Sequence, residues 1–405
     1  MITILFVVFK RYYIRRISMD NIMSIFSFEL PTRIEYGIGI VNKLGDELGK
    51  IGAGRVIIIT DKGIVKAGII KKVTEILKKS GIDYLVFDEV EANPKDYNVE
   101  RGAREAKEFG AQAMIALGGG SPIDCAKSIG VLVSHGGDKI KAYEGKTAVK
   151  KPILPLITIP TTSGTGSEVT FSSVINDTVN NYKMTVKSIH MAAKVALIDP
   201  ELTISMPPSV TASTGVDALT HAIEAYTVKV SEPISDAVAL YAIELIWKNI
   251  RTAVCDGSNI EARAGMLLGS LLAGIAFSHS DVGSVHCMAE SLGGVYDAPH
   301  GVCNAILLPY VMEYNMDYCK DRYARVAKAM GAEFSSVDEG AKQAVKMVKQ
   351  LTIDVKLPAF KSLNVDEKDF ESLSQMSAKN ISTESNPRLM TKEDYMMVFK
   401  NACNI

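Results

Sequence analysis

The chain lacks an excess of charge of either sign: its 405 residues hold 45 Lys and Arg against 46 Asp and Glu, a formal net charge of −1. That balance supplies no electrostatic footprint for DNA, RNA or an anionic membrane, so no nucleic-acid partner is expected. Its six cysteines (Cys125, Cys255, Cys287, Cys303, Cys319 and Cys403) form no C-x-x-C pair. In a chain this long they read as reduced, mostly buried thiols, which points to the cytoplasm. The amino end lacks a long apolar run. Residues 2–9 are apolar, against the roughly 20 residues needed to span a bilayer. Lys10, Arg11, Arg15 and Arg16 follow that run instead of preceding it, and no small-residue cleavage site appears. Neither a membrane span nor a secretory signal is therefore expected. Residues 1–22 read as an extension, with Met19 or Met23 as the natural start. G-x-S-x-G is also absent, and Ser163 and Ser167 have no identifiable His partner, so no serine nucleophile is expected.

What is present suits a large folded core. Hydrophobic residues make up 47% and charged residues 22%, values typical of globular proteins, and disorder is excluded. The length suits roughly two to three domains. The first half alternates apolar runs with amphipathic stretches. Arg55-Val-Ile-Ile-Ile-Thr60 predicts a buried strand, 64–80 a helix closed by Gly81, and 83–90 a strand. A helix over 97–109, strands over 113–117 and 155–160, and a helix reaching 134 continue the pattern. Such alternation predicts an α/β domain with a Rossmann-like parallel sheet over 23–204. After Val195-Ala-Leu-Ile-Asp199 the β-rich runs nearly stop. Helical periodicity over 209–228, 232–250, 260–277 and 336–351 predicts an all-α C-terminal domain over 205–405. A cleft between the two is a natural ligand site.

Two strand ends carry loops suited to phosphate. Gly118-Gly-Gly-Ser-Pro-Ile-Asp124 would let backbone N–H groups approach a pyrophosphate, with Pro122 at the first helical position. A plain tight turn is the competing reading, and the full Rossmann fingerprint is missing because Ile123 stands in place of the third glycine. Pro160-Thr-Thr-Ser-Gly-Thr-Gly-Ser-Glu168 adds a second, hydroxyl-rich loop. Two such loops at successive strand ends fit a dinucleotide across the sheet's carboxyl edge. Asp61, at the end of the first strong strand, would accept hydrogen bonds from an adenosine ribose and repel a 2′-phosphate, favouring NAD(H) over NADP(H). A simple turn aspartate reads equally well.

A candidate metal group lies further on. Asp217 and His221 are four residues apart in a largely apolar helix, on one face. An unpaired Asp there costs several kcal/mol, which a cation would offset. His286 and His300 flank a segment that Gly293, Gly294 and Pro299 would break, bringing both imidazoles to one point. Each His taken alone is more often a core or surface residue, and the Asp/His pair alone reads equally as a hydrogen bond. Together, one carboxylate and three imidazoles suit Fe²⁺, Zn²⁺ or Mn²⁺. Four protein ligands with room for substrate lean toward Fe²⁺, with Zn²⁺ the alternative.

These motifs, with Thr214-Gly-Val-Asp-Ala-Leu-Thr-His-Ala-Ile-Glu224, Val285-His286 and Pro299-His-Gly-Val-Cys-Asn-Ala305, resemble the iron-containing (group III) alcohol dehydrogenases. The resemblance runs from about Phe26 to the C-terminus and implies a dehydroquinate synthase-like architecture. It implies NAD(P)-dependent, metal-assisted interconversion of a small alcohol and its aldehyde or ketone. It carries the ligands onto Asp217, His221, His286 and His300. It places the pyrophosphate on Gly119, Gly120 and Ser121 with Asp124 nearby, and the nicotinamide half on Thr161, Thr162, Thr165 and Lys183. Asp61 and Asn93 would lie along the adenosine half. Homodimers or larger assemblies are implied. Two positions depart from the family pattern: Glu290 stands where many members have a further His, and His279 where Asn is common. Glu290 or His279 is expected to relay the alcohol proton, and Glu290 to orient His286 from one helical turn away. The substrate pocket is expected near Phe171, Phe277, His279 and Cys287. A glycerol-dehydrogenase-like or dehydroquinate-synthase-like enzyme and a nucleotide binder without catalysis are the alternatives.

Overall fold

The computed structural model describes residues 25–403, so the expectations for residues 1–22 lie outside it. The strands, in chain order, are β1 (Arg33–Tyr36), β2 (Arg55–Ile59), β3 (Asp83–Phe87), β4 (Ala113–Gly118), β5 (Leu156–Pro160), β6 (Ser172–Asp177), β7 (Tyr182–Lys187) and β8 (Val195–Ile198). Six of them form one sheet in the order β1-β8-β5-β4-β2-β3, with every neighbouring pair parallel. β4 and β5 are buried along their whole length, as parallel strands covered on both faces must be. The covering helices are α1 (Leu44–Ile51), α2 (Lys62–Lys66), α3 (Ile69–Lys79), α4 (Asp96–Phe109) and α5 (Gly120–His135). Side chains alternate across the sheet. Ile57, Ile59, Met114 and Ala116 pack with Val99, Ala103 and Ile129 of α4 and α5. Val56, Ile58, Ile115 and Ile157 face Leu44, Leu48, Val73 and Leu77 of α1 and α3.

Two local expectations are corrected. The stretch 64–80 is two helices, not one, because Gly68 takes a left-handed conformation (φ 77°) and starts α3 afresh. β6 and β7, unforeseen in the sequence, form an antiparallel ribbon. Its turn is built by the Asp177 carboxylate, which accepts from Val179 N and Asn180 N, and by left-handed Asn181. Pro122 stands third in α5, where an amide hydrogen is still unneeded.

From Pro208 the chain is helical: α6 (Pro208–Thr227), α7 (Pro233–Cys255), α8 (Ile260–His279), α9 (Ser284–Tyr296), α10 (His300–Ala329), α11 (Val337–Asp354), α12 (Phe370–Lys379) and α13 (Lys392–Cys403). The last strand ends at Ile198, so the architecture changes between 198 and 208. Among the described residues one helix, α8, is long and apolar enough to cross a membrane. It packs inside this block, and its buried Arg263 donates to Thr211 Oγ1 and Met206 O.

Candidate functional site

Three helices converge with chemistry-bearing side chains at helical spacing. α6 presents Asp217, His221 and Glu224 at i, i+4 and i+7; α9 presents His286 and Glu290; α10 opens with His300 and carries Asn304 one turn on. α9 runs unbroken through Gly293 and Gly294, contrary to expectation. The break is the turn at Asp297, Ala298 and Pro299, where Asp297 takes a left-handed conformation. The two glycines instead admit β7, since a Cβ at Gly293 would stand 2.8 Å from Lys183 Nζ and one at Gly294 3.2 Å from Tyr182 Cα. Gly301 lets α10 approach α6, because a Cβ there would lie 2.9 Å from Ser213 O.

The ligand atoms of Asp217, His221, His286 and His300 lie within 4.8 Å of one another. Asp217, His221 and His286 are buried, and the His300 side chain is a quarter exposed. Among the described residues, His221 Nδ1 and His300 Nδ1 have no hydrogen-bond partner. A buried carboxylate among three imidazoles, two of them with an unpartnered nitrogen, is a donor set that fits a divalent cation. Burial pushes His221 down to about 4 and His300 well below its ordinary value, leaving both imidazoles neutral with free lone pairs. Burial is the largest influence on His286 and works against its charge, but the carboxylates around it, Glu224 foremost with Asp217 and Glu290, together raise that histidine.

Two residues that the sequence reading did not single out hold these ligands. Glu224 Oε2 lies 2.5 Å from His286 Nδ1, while its Oε1 accepts from Val285 N. Asn304 Nδ2 donates to Asp217 Oδ1 at 2.7 Å and stands 3.1 Å from both His286 Nε2 and His300 Nε2. Both nitrogens of His286 are thereby engaged. Glu290 does not orient that ring; its Oε2 accepts from Asn380 Nδ2 at 2.5 Å. Burial raises the Glu290 carboxyl, opposed by nearby Lys183. His279 is also corrected: Nδ1 is 2.7 Å from Ile275 O, Nε2 is 2.8 Å from Glu29 O, and the ring stacks on Phe28. Both ring nitrogens are thus engaged by backbone groups.

Of the expected pocket residues, Phe277 stacks on His221 and Phe171 meets the edge of His279. Cys287 is turned to Thr383.

The phosphate loops lie side by side, where Thr161 N donates to Gly118 O. A Cβ on Gly120 would stand 2.6 Å from Thr165 Cγ2, so Thr165 would have to shift, and one on Gly119 3.0 Å from Thr162 Oγ1, which would have to give by a few tenths of an ångström. Ser121 is partly exposed, and Thr161 Oγ1 is buried without a partner among the described residues. β2 neighbours β3 on one side and β4 on the other, so strand order reverses here and a ligand crevice results. Asp61 sits at that crevice. Its Oδ1 caps α2 through Ile64 N, and Oδ2 faces Gly118. Asp124 does not face the crevice. It accepts from Ser167 Oγ and Val174 N and so braces the second loop. Buried Lys127 reinforces this brace, donating to Ser167 O, Thr170 Oγ1 and Ser172 O. Lys183 Nζ donates to Asn93 Oδ1, and Asn93 Nδ2 to Asp297 Oδ1.

A nucleotide-type parallel sheet abutting a helical block that gathers three imidazoles and a carboxylate defines a metal- and dinucleotide-linked oxidoreductase. Comparison with known proteins makes this particular. Residues 31–200 match the family model described as iron-containing alcohol dehydrogenase, and residues 211–403 that of the C-terminal part of the Fe-containing alcohol dehydrogenase family. A choline dehydrogenase of Bacillus subtilis is 40% identical over 392 residues, covering 96% of this chain and 98% of that protein. An NAD-dependent methanol dehydrogenase of Bacillus methanolicus is 35% identical over 379 residues, covering 93% and 99%. The solved alcohol dehydrogenase from Oenococcus oeni superposes with a TM-score of 0.90 at 38% identity, covering 93% of this chain and 100% of that one. The chain belongs to the iron-containing alcohol dehydrogenase family and is an oxidoreductase acting on alcohol CH–OH groups.

Proposed function

We propose that the protein interconverts a small alcohol and its aldehyde with NAD(H), with Asp217, His221, His286 and His300 holding Fe²⁺, or alternatively Zn²⁺. The observation that carries this reading is the convergence of those four ligand atoms within 4.8 Å in a chain whose sheet offers two abutting phosphate loops. The bound cation would supply Lewis acidity, favouring the deprotonated alcohol and polarising the carbonyl. The chain does the rest. Gly119, Gly120 and Ser121, at the start of α5, receive the pyrophosphate on backbone amides. Thr161, Thr162, Thr165 and Lys183 position the nicotinamide half, and Phe277, stacked on His221, keeps water from the reacting carbon. Asp61 receives the adenosine ribose, and its charge disfavours a 2′-phosphate. The NAD dependence in the name of the methanol dehydrogenase relative supports the same choice. Glu290, a turn beyond His286 and held by Asn380, is assigned the departing alcohol proton; His279 is not. The balanced charge favours a small-molecule partner over nucleic acid, the unpaired cysteines fit the cytoplasm, and a homodimer or larger homo-oligomer is assigned by family likeness.

The test is NADH turnover with a panel of short aldehydes before and after chelation, with elemental analysis of the bound metal. Turnover should vanish with the metal and return with Fe²⁺ or Zn²⁺; turnover indifferent to chelation sinks the reading. Glu290→Gln should flatten the pH–rate profile, and an unchanged profile removes Glu290 from the proton path.

A further inference from the structure

Between the phosphate loops and the metal group, one set of contacts joins the two halves of the molecule. Asn93 follows β3 and Lys183 lies on β7, while Asp297 stands in the three-residue turn that carries α9 into α10 and so into His300. The Asn93 amide is the hub: Oδ1 accepts from Lys183 Nζ at 2.8 Å, and Nδ2 donates to Asp297 Oδ1 at 2.9 Å and to Ala298 O at 3.4 Å. Largely buried Lys95 donates to the same Asp297 oxygen at 2.7 Å. Asn93 and Asp297 each take φ 50°, a left-handed conformation that Asn and Asp enter more readily than other side chains. These are neighbouring bends, one from each half, with side chains turned on one another.

We propose that Asp297 is a positioning residue, setting the His300 turn against Asn93 and Lys183 and thereby coupling metal binding to cofactor binding. This rests on the reading above, in which Lys183 meets the nicotinamide half and His300 holds the cation. A cofactor that fixes Lys183 fixes Asn93, and through Asp297 and Ala298 it fixes the turn two residues before His300. A cation that fixes His300 acts along the same contacts in reverse. Binding couplings are reciprocal, so each ligand must tighten the other by one common factor.

The test measures NADH affinity by fluorescence titration with and without Zn²⁺, and Zn²⁺ affinity by calorimetry with and without NADH. Wild-type protein should show the same tightening in both directions, about tenfold. Asp297→Gly, which keeps the left-handed backbone at no steric cost, should bring the factor close to one. Asp297→Asn, which retains an acceptor for Lys95, should restore most of it. Lys95→Met, probing the pair from the other half, supplies the same comparison should Asp297→Gly fail to fold. Independent binding in the wild type, or full coupling in Asp297→Gly, overturns the proposal. Failure of the parent reading looks different: the wild type then binds no NADH or no Zn²⁺ at all.

Discussion

His286 is the one imidazole of the group with a carboxylate behind it. Glu224 holds its Nδ1 at 2.5 Å, which fixes the ring's orientation and raises its basicity toward whatever Nε2 faces. Replacing Glu224 by Gln should weaken metal binding about 10- to 100-fold, read by competition with a coloured chelator; an unaltered constant would reduce Glu224 to a packing residue. A second buried acid, Glu168, carries no such duty. Its Oε1 has no partner among the described residues, and burial raises the carboxyl to about 7, opposed by Lys127. The contribution of a raised acid is fully present below the ordinary carboxylate range. It disappears as pH climbs through 7, because the unfolded chain ionises freely while the folded one must ionise in the dry interior. From pH 4.5 to above 7 the wild type should therefore lose on the order of 3 kcal/mol relative to Glu168→Gln. Urea unfolding at pH 5 and pH 8 checks this, and parallel pH slopes for the two proteins would refute it. Glu224 escaped the sequence reading because an acidic residue at the end of a motif, seven positions after Asp217, reads as solvated helix surface. The i, i+4, i+7 register with Asp217 and His221 was the available signal.

At the scale of elements, legibility followed burial. β2, β4 and β5 were readable because a strand covered on both faces is a continuous apolar run. β6 and β7 were not, since Ser-Ser-Val-Ile-Asn-Asp and Tyr-Lys-Met-Thr-Val-Lys are half-buried ribbon strands whose polar residues imitate a loop. His279 misled for a geometric reason. It drew notice only as a departure from the family pattern, and α8 ends at His279 while α9 starts at Ser284, so no helix carries it onto the face of His286. The second phosphate loop also reaches α8, at a contact no periodicity announces. Gly166 has φ 58°, and a Cβ on Gly274 of α8 would stand 2.7 Å from Gly166 O, backbone against backbone. Gly274→Ala must push the loop off the helix. It should cost about 1–3 kcal/mol, as overpacking does, and raise the KM for NADH because Thr161, Thr162 and Thr165 move with the loop. Thermal unfolding and steady-state kinetics measure both; a variant with wild-type KM would separate the loop's position from that contact.

For the molecule as a whole, the two ligands fall on different halves. All four proposed metal ligands lie on helices after residue 208, whereas the pyrophosphate and ribose positions lie at strand ends of the parallel sheet and the first turn of α5. A ligand stabilises what it binds by an amount set by its concentration over its dissociation constant, about 2.7 kcal/mol at a hundredfold excess. That stabilisation appears in amide exchange only where opening releases the ligand. Zn²⁺ at such an excess should therefore slow exchange most in α6, α9 and the start of α10. NADH should slow it most in 118–135 and 161–170. The α9–α10 turn belongs to the helical half by sequence but is gripped by Asn93 and Lys95 from the sheet, so it and the residues that grip it should respond to both ligands. Hydrogen exchange followed by mass spectrometry, with each ligand alone and then with the two together, resolves these segments. Protection spread evenly over both halves with either ligand would mean that the chain opens as one cooperative body, and the separation of metal and cofactor duties between helices and sheet would fail.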